Sequence, residues 1–159
     1  MNLFDKGKEN FIMIHIEYKI VGTGWAVGKI GNGEKLTEFN VSYLRDSLKE
    51  LAESAIEIHE KNFKTVVFMD EPGEHVLILN RRDKFLIEYE LRWYNDWWTW
   101  NLIDENNFDL IFKGQTTVAK YVNQVRNVLN AIITELGLNE YRNKWIKHDF
   151  PIVEFEQLK

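Results

Sequence analysis

Apolar and polar side chains alternate from Phe11 to Ile20, with Ile12, Ile14, Ile16, Tyr18 and Ile20 on one face and Met13, His15, Glu17 and Lys19 on the other. A period of two predicts a half-buried strand. Gly22-Thr23-Gly24 breaks it, and a second strand is predicted over residues 25–30. Gly31-Asn32-Gly33 then reads as a hairpin turn, because Asn-Gly tolerates positive φ, with residues 34–39 returning. Ser42 is positioned as a helix N-cap. Leu44, Leu48, Leu51, Ala52, Ala55 and Ile58 follow at spacings of three and four, predicting an amphipathic helix to about Glu60.

The period of two then resumes. Residues 64–70 and 74–80 predict strands about a Glu71-Pro72-Gly73 turn, in which Pro fixes φ and Gly is free to take φ > 0. Phe85, Ile87, Tyr89 and Leu91 alternate with Leu86, Glu88, Glu90 and Arg92 after a second turn at Arg81-Arg82-Asp83. Asn95-Asp96 interrupts, and two more strands are predicted over 97–103 and 108–113. After Gly114, Val118, Val122, Val125, Leu129, Ile132 and Leu136 form the longest helical stripe, closed by Gly137 as a C-cap. In the tail, Pro151 holds Phe150 extended, and Ile152, Phe155 and Leu158 are placed against the body. Strands in runs, with helices between and after them, predict an α+β fold. The expectation is a twisted antiparallel sheet of about 6–8 strands, a meander, with two long helices packed on one face, forming a single domain over 1–159.

Composition narrows the function classes. At 159 residues the chain matches one domain. It has no Cys, which removes disulfides, thiolate metal sites and Cys nucleophiles. Twenty basic against 25 acidic residues give a net charge of -5, which disfavours nucleic-acid binding through phosphate neutralisation. No apolar run reaches the roughly 18 residues of a membrane span. The first one, residues 11–16, contains His15, follows Asp5, Lys6, Lys8 and Glu9, and lacks the form of a signal peptide. A cytoplasmic location is the simplest expectation.

Most candidate chemistry has a structural reading beside it. Gly22-x-Gly24-x-x-x-Gly28 misses the phosphate-loop spacing and precedes a strand, not the helix N-terminus that phosphate binding needs. His15, His59, His75 and His148 show no zinc-ligand spacing; His75 is expected to face Glu88 or Glu90 across its hairpin. Asp70, Glu71 and Glu74 crowd one turn, where carboxylates bind a cation, act as acid and base, or are simply solvated. Arg81, Arg82 and Lys84 are too few for a nucleic-acid surface. No nucleophile elbow or phosphate-binding motif appears, and no metal or cofactor is expected.

The local excess lies in the aromatics. Of six Trp, six Tyr and ten Phe, five crowd into residues 93–100: Trp93, Tyr94, Trp97, Trp98 and Trp100. On a strand, Trp97 would face away from Trp98 and Trp100, leaving one side for the tail, a partner or a ligand to cover. Large rigid aromatics suit binding surfaces.

Three segments together resemble a family of small uncharacterised bacterial proteins: Val41-Ser42-Tyr43-Leu44-x-Asp46-x-Leu48, then Asp70-Glu71-Pro72-Gly73-Glu74, then Tyr141-x-x-x-Trp145-x-x-His148-Asp149-Phe150-Pro151. An SYL-x-D helix start, an EPGE turn and a tail like Trp-x-x-His-Pro-Phe-Pro recur there in this order. Here Asp149 stands in place of the first Pro of that tail. The resemblance covers residues 41–158, implies a bacterial cytoplasmic origin and assigns no reaction. It gives weight to Ser42, Tyr43, Asp46, Glu71, Gly73, Glu74, Trp145 and His148.

Two functions follow as expectations. The first is a non-enzymatic domain that binds another protein or a second copy of itself, comparable by analogy to bacterial toxin-neutralising immunity proteins. The second is a small-molecule binder or enzyme whose pocket lies between sheet and tail, lined by Trp98, Trp100, Trp145 and His148 with Glu71 or Glu74. The combined candidate site residues are Trp93, Trp97, Trp98, Trp100, Trp145, His148, Glu71 and Glu74.

Overall fold

The computed structural model describes residues 12–159. The charged stretch with Asp5, Lys6, Lys8 and Glu9, and the start of the first apolar run at Phe11, lie outside the described residues. The chain forms an α+β fold with two antiparallel sheets. Strands β1 (His15–Gly22), β2 (Trp25–Gly31) and β3 (Leu36–Ser42) make the first meander. Strands β4 (Phe63–Met69), β5 (Glu74–Arg81), β6 (Leu86–Tyr94) and β7 (Asp109–Thr117) make the second.

The single sheet expected from the sequence is thus divided, and helix α1 (Ser47–Glu57) is the cause. It lies between β3 and β4 in the chain and takes the outer edge of β4. The Ser47 hydroxyl donates to the Val67 carbonyl at 2.6 Å, and the Val67 N–H donates to Glu50 Oε1 at 3.3 Å. Those two groups are what a neighbouring β3 would have needed, so α1 ends the ladder and protects its edge. At the opposite margin the sheets touch lightly. Ile12 forms one parallel bridge to Gln115, and Asn32 Nδ2 donates to the Lys113 carbonyl at 2.7 Å.

The inner faces of both sheets share one core. Ile16, Tyr18 and Ile20 from β1 and Ala26 and Ile30 from β2 meet Leu77, Leu79, Ile87 and Leu91 across it. The helices α1, α2 (Val118–Trp145) and α3 (Ile152–Leu158) all contribute to this core. Among the described residues three helices are therefore present where two were expected. Leu48, Leu51, Ala52 and Ala55 on α1, and Ile58 at its C-cap, are fully buried, as their helical spacing predicts; each Leu contributes about 2 kcal/mol relative to exposure. The N-cap is Asp46, not Ser42: its carboxylate accepts from the Lys49 N–H, while Ser42 remains the last residue of β3. Gly137 interrupts α2 at φ 75, ψ 171, as its C-cap reading implies, but helix resumes beyond it to Trp145. Phe155 and Leu158 dock against the body, whereas Ile152 is exposed.

A second, smaller core lies on the outer face of the four-stranded sheet. Val67, Val76, Ile78 and Tyr94 point there, opposite to Val66, Leu77 and Leu91 as strand alternation requires. The β6–β7 connection folds back over it, placing Trp98, Ile103 and Phe108 on these side chains. The strand expected over 97–103 does not form; a 3-10 turn (Trp98–Trp100) stands in its place. Among the described residues no helix is long and apolar enough to cross a membrane.

Candidate functional site

The aromatic surplus gathers at one end of the four-stranded sheet, where the β4–β5 turn meets the β6–β7 connection. Trp93, on the inner face of β6, lies opposite His75 of β5 with ring centroids 4.7 Å apart. The His75 ring stacks on Phe39 of β3, also at 4.7 Å, so it faces neither Glu88 nor Glu90. Burial lowers its pKa to about 4, and the ring is neutral at physiological pH. Trp93 also covers Gly73. That residue holds φ +85, and an added Cβ would stand 2.3 Å from the indole, so both conformation and space require glycine.

Trp97 is fixed through its indole N–H, which donates to the carbonyls of Asp70 at 2.9 Å and Gly73 at 3.0 Å. The central turn and the aromatic connection are thereby one structure. Glu74 completes it from within. Its side chain is buried, and its carboxylate accepts from the Thr99 N–H and hydroxyl at 3.1–3.2 Å. Desolvation holds the Glu74 carboxyl above the ordinary glutamate range, against the Thr99 hydrogen bonds. The Tyr94 hydroxyl donates to the Glu105 carbonyl at 2.7 Å, tying down the far side.

On this base Trp100 rests edge-to-face on Trp97 at 4.7 Å and leaves 51% of its surface in solvent. Leu102, two residues further on, is 56% exposed. Trp98 points the other way and stacks on Tyr94 at 5.4 Å. A shallow, open groove of about 550 Å³ is lined by Trp98, Asn101, Leu102, Ile103, Asp104 and Glu105.

The remaining candidates lie elsewhere. Trp145 is completely buried in the main core against Tyr18 and Tyr141. Trp98 belongs to the smaller core on the opposite face of the sheet. A pocket shared by Trp98 and Trp145 is therefore not formed, because the four-stranded sheet separates the two cores. His148 sits at the C-terminal junction, with Nε2 3.1 Å from the Tyr43 carbonyl and Nδ1 3.6 Å from Asp46 Oδ2. Burial raises the Asp46 carboxyl, and His148 opposes that rise. Glu71 is exposed and accepts from the Ser42 hydroxyl at 3.0 Å.

The three segments quoted from the sequence thus meet in space. Ser42 holds Glu71, and Tyr43 and Asp46 hold His148; each contact joins a strand or helix end to a loop. Sequence reasoning did not single out Thr99, Leu102, Asp104 or Glu105. The available signal was charge: residues 93–109 contain Asp96, Asp104, Glu105 and Asp109 and no Lys or Arg. Among the described residues no group of three or more His, Asp or Glu side chains is arranged to hold a metal ion. Comparison with protein-family models, curated proteins and solved structures finds no match to this chain.

Proposed function

We propose that the chain is a non-enzymatic protein-binding domain of the bacterial cytoplasm, which contacts its partner through the connection carrying Trp97, Trp98 and Trp100. The observation that carries this reading is Trp100, half exposed on a Trp97 ring whose own N–H is held by two carbonyls. An exposed indole costs solvation; held rigid, it offers a large contact area with little conformational entropy to lose on binding. The polar groups of the motif segments support the same reading, since Ser42, Glu74 and His148 are engaged in holding loops. By analogy of size and charge, toxin-neutralising immunity proteins are a class of this kind.

Size-exclusion with light scattering, followed by affinity capture from native lysate, tests the proposal. The wild type is expected to retain a specific partner that a Trp100→Ala/Leu102→Ala double variant loses while its circular dichroism is unchanged. Both substitutions fall on exposed side chains, unlike Trp97 and Trp98, whose removal would disturb the base. Equal capture by the two proteins would overturn the reading.

A further inference from the structure

We infer that the partner surface is basic, presenting an Arg or Lys that lies in the groove lined by Trp98, Leu102, Asp104 and Glu105. This rests on the reading of the Trp97–Trp100 connection as a protein-binding surface and names the chemistry that surface accepts. The groove is lined by apolar and acidic residues together. Its lining combines the side chains of Trp98, Leu102 and Ile103 with the acids Asp104 and Glu105. A Lys or Arg side chain has the matching division, an aliphatic stem that packs on apolar surface and a cationic head that seeks carboxylate.

The surroundings select the same sign. No Lys or Arg occurs between Trp93 and Asp109, and the adjoining turn adds Asp70 and Glu71. Arg92, which borders the segment, is already paired with Glu90 and lies 4.0 Å over the Phe108 ring, so it does not offset these acids at the surface. The same charge excludes other occupants. A second copy would bring two acidic loops together, and nucleic-acid phosphates or an anionic lipid surface would be repelled. A basic protein surface gains from both the apolar anchors and the charge.

The probe is a phage-displayed library of random peptides, selected in parallel on the wild type, on Trp100→Ala/Leu102→Ala and on Asp104→Asn/Glu105→Gln. Circular dichroism and thermal melting establish that each variant is folded. Enrichment on the wild type of peptides rich in Arg or Lys, lost on the Trp100/Leu102 variant and weakened about tenfold on the Asp104/Glu105 variant, is the expected result. Neutral or acidic peptides that still depend on Trp100 and Leu102 would overturn the basic partner and leave the binding surface standing. Selection that ignores Trp100 and Leu102, or none at all, would overturn both.

Discussion

Glu74 and His75 are neighbours on β5 that point to opposite faces, and their titrations act on stability with opposite sign. Burial raises the Glu74 carboxyl. Its contribution is therefore fully present below the ordinary glutamate pKa and is lost as pH rises through the raised folded value. Burial lowers His75 to about 4, so its contribution is present above the unfolded value of about 6.5 and is lost as pH falls towards 4. Urea titrations across that range should show wild type losing roughly 2–4 kcal/mol relative to His75→Phe. Against Glu74→Gln, wild type should instead gain as the pH drops. A pH-independent difference in either pair would show that the group is not buried as described. Trp97→Phe keeps an aromatic ring beneath Trp100 but removes the N–H that bonds Asp70 and Gly73. A loss of about 1 kcal/mol is expected from that hydrogen bond, with Trp100 becoming more accessible to acrylamide quenching.

Among the elements, strand alternation was the most readable feature, because burial of one sheet face acts directly on every second residue. Ile14, Ile16, Tyr18 and Ile20, and later Ile87, Tyr89 and Leu91, are buried as their spacing implies. Phe85, on the same expected face, is 73% exposed because it precedes the strand. What the sequence does not show is pairing across a helix. Two hydrogen bonds, from the Ser47 hydroxyl to the Val67 carbonyl and from the Val67 N–H to Glu50, decide that β3 and β4 stay apart, and neither side chain announces such a partner. The aromatic stretch misled for a related reason: β-propensity is high in Trp97-Trp98-Thr99-Trp100, yet Glu74 and the Asp70 and Gly73 carbonyls capture it as a turn.

Two glycines separate conformation from space at this scale. Gly137 holds φ +75 with ψ 171, and an added Cβ would meet nothing within 4 Å. Gly137→Ala should cost about 2 kcal/mol from backbone strain alone. Gly73→Ala adds contact with the Trp93 ring at 2.3 Å and the Tyr94 carbonyl at 2.7 Å. It should destabilise more and disturb the Trp97–Trp100 turn, and equal melting temperatures for the two variants would count against the close packing of turn and tryptophan.

At the scale of the whole molecule, the helices and both inner sheet faces build a core that needs no further explanation. The smaller outer core differs, because its cover is a loop whose exposed side carries Trp100, Leu102, Asp104 and Glu105. The candidate site was half legible: the tryptophan surplus located the segment, while its fixed geometry depends on contacts from the distant β4–β5 turn. Net charge alone gave only an exclusion, whereas its local form supports the basic partner proposed for the groove.

Hydrogen–deuterium exchange of the full chain, alone and with a peptide selected on it, locates the binding surface along the sequence. Slowed exchange over residues 95–109 and the adjoining turn at 70–74, with the junction at 144–154 unchanged, is the expected result. Protection centred on the Asp46–His148 junction, with residues 95–109 exchanging as in the free protein, would contradict it.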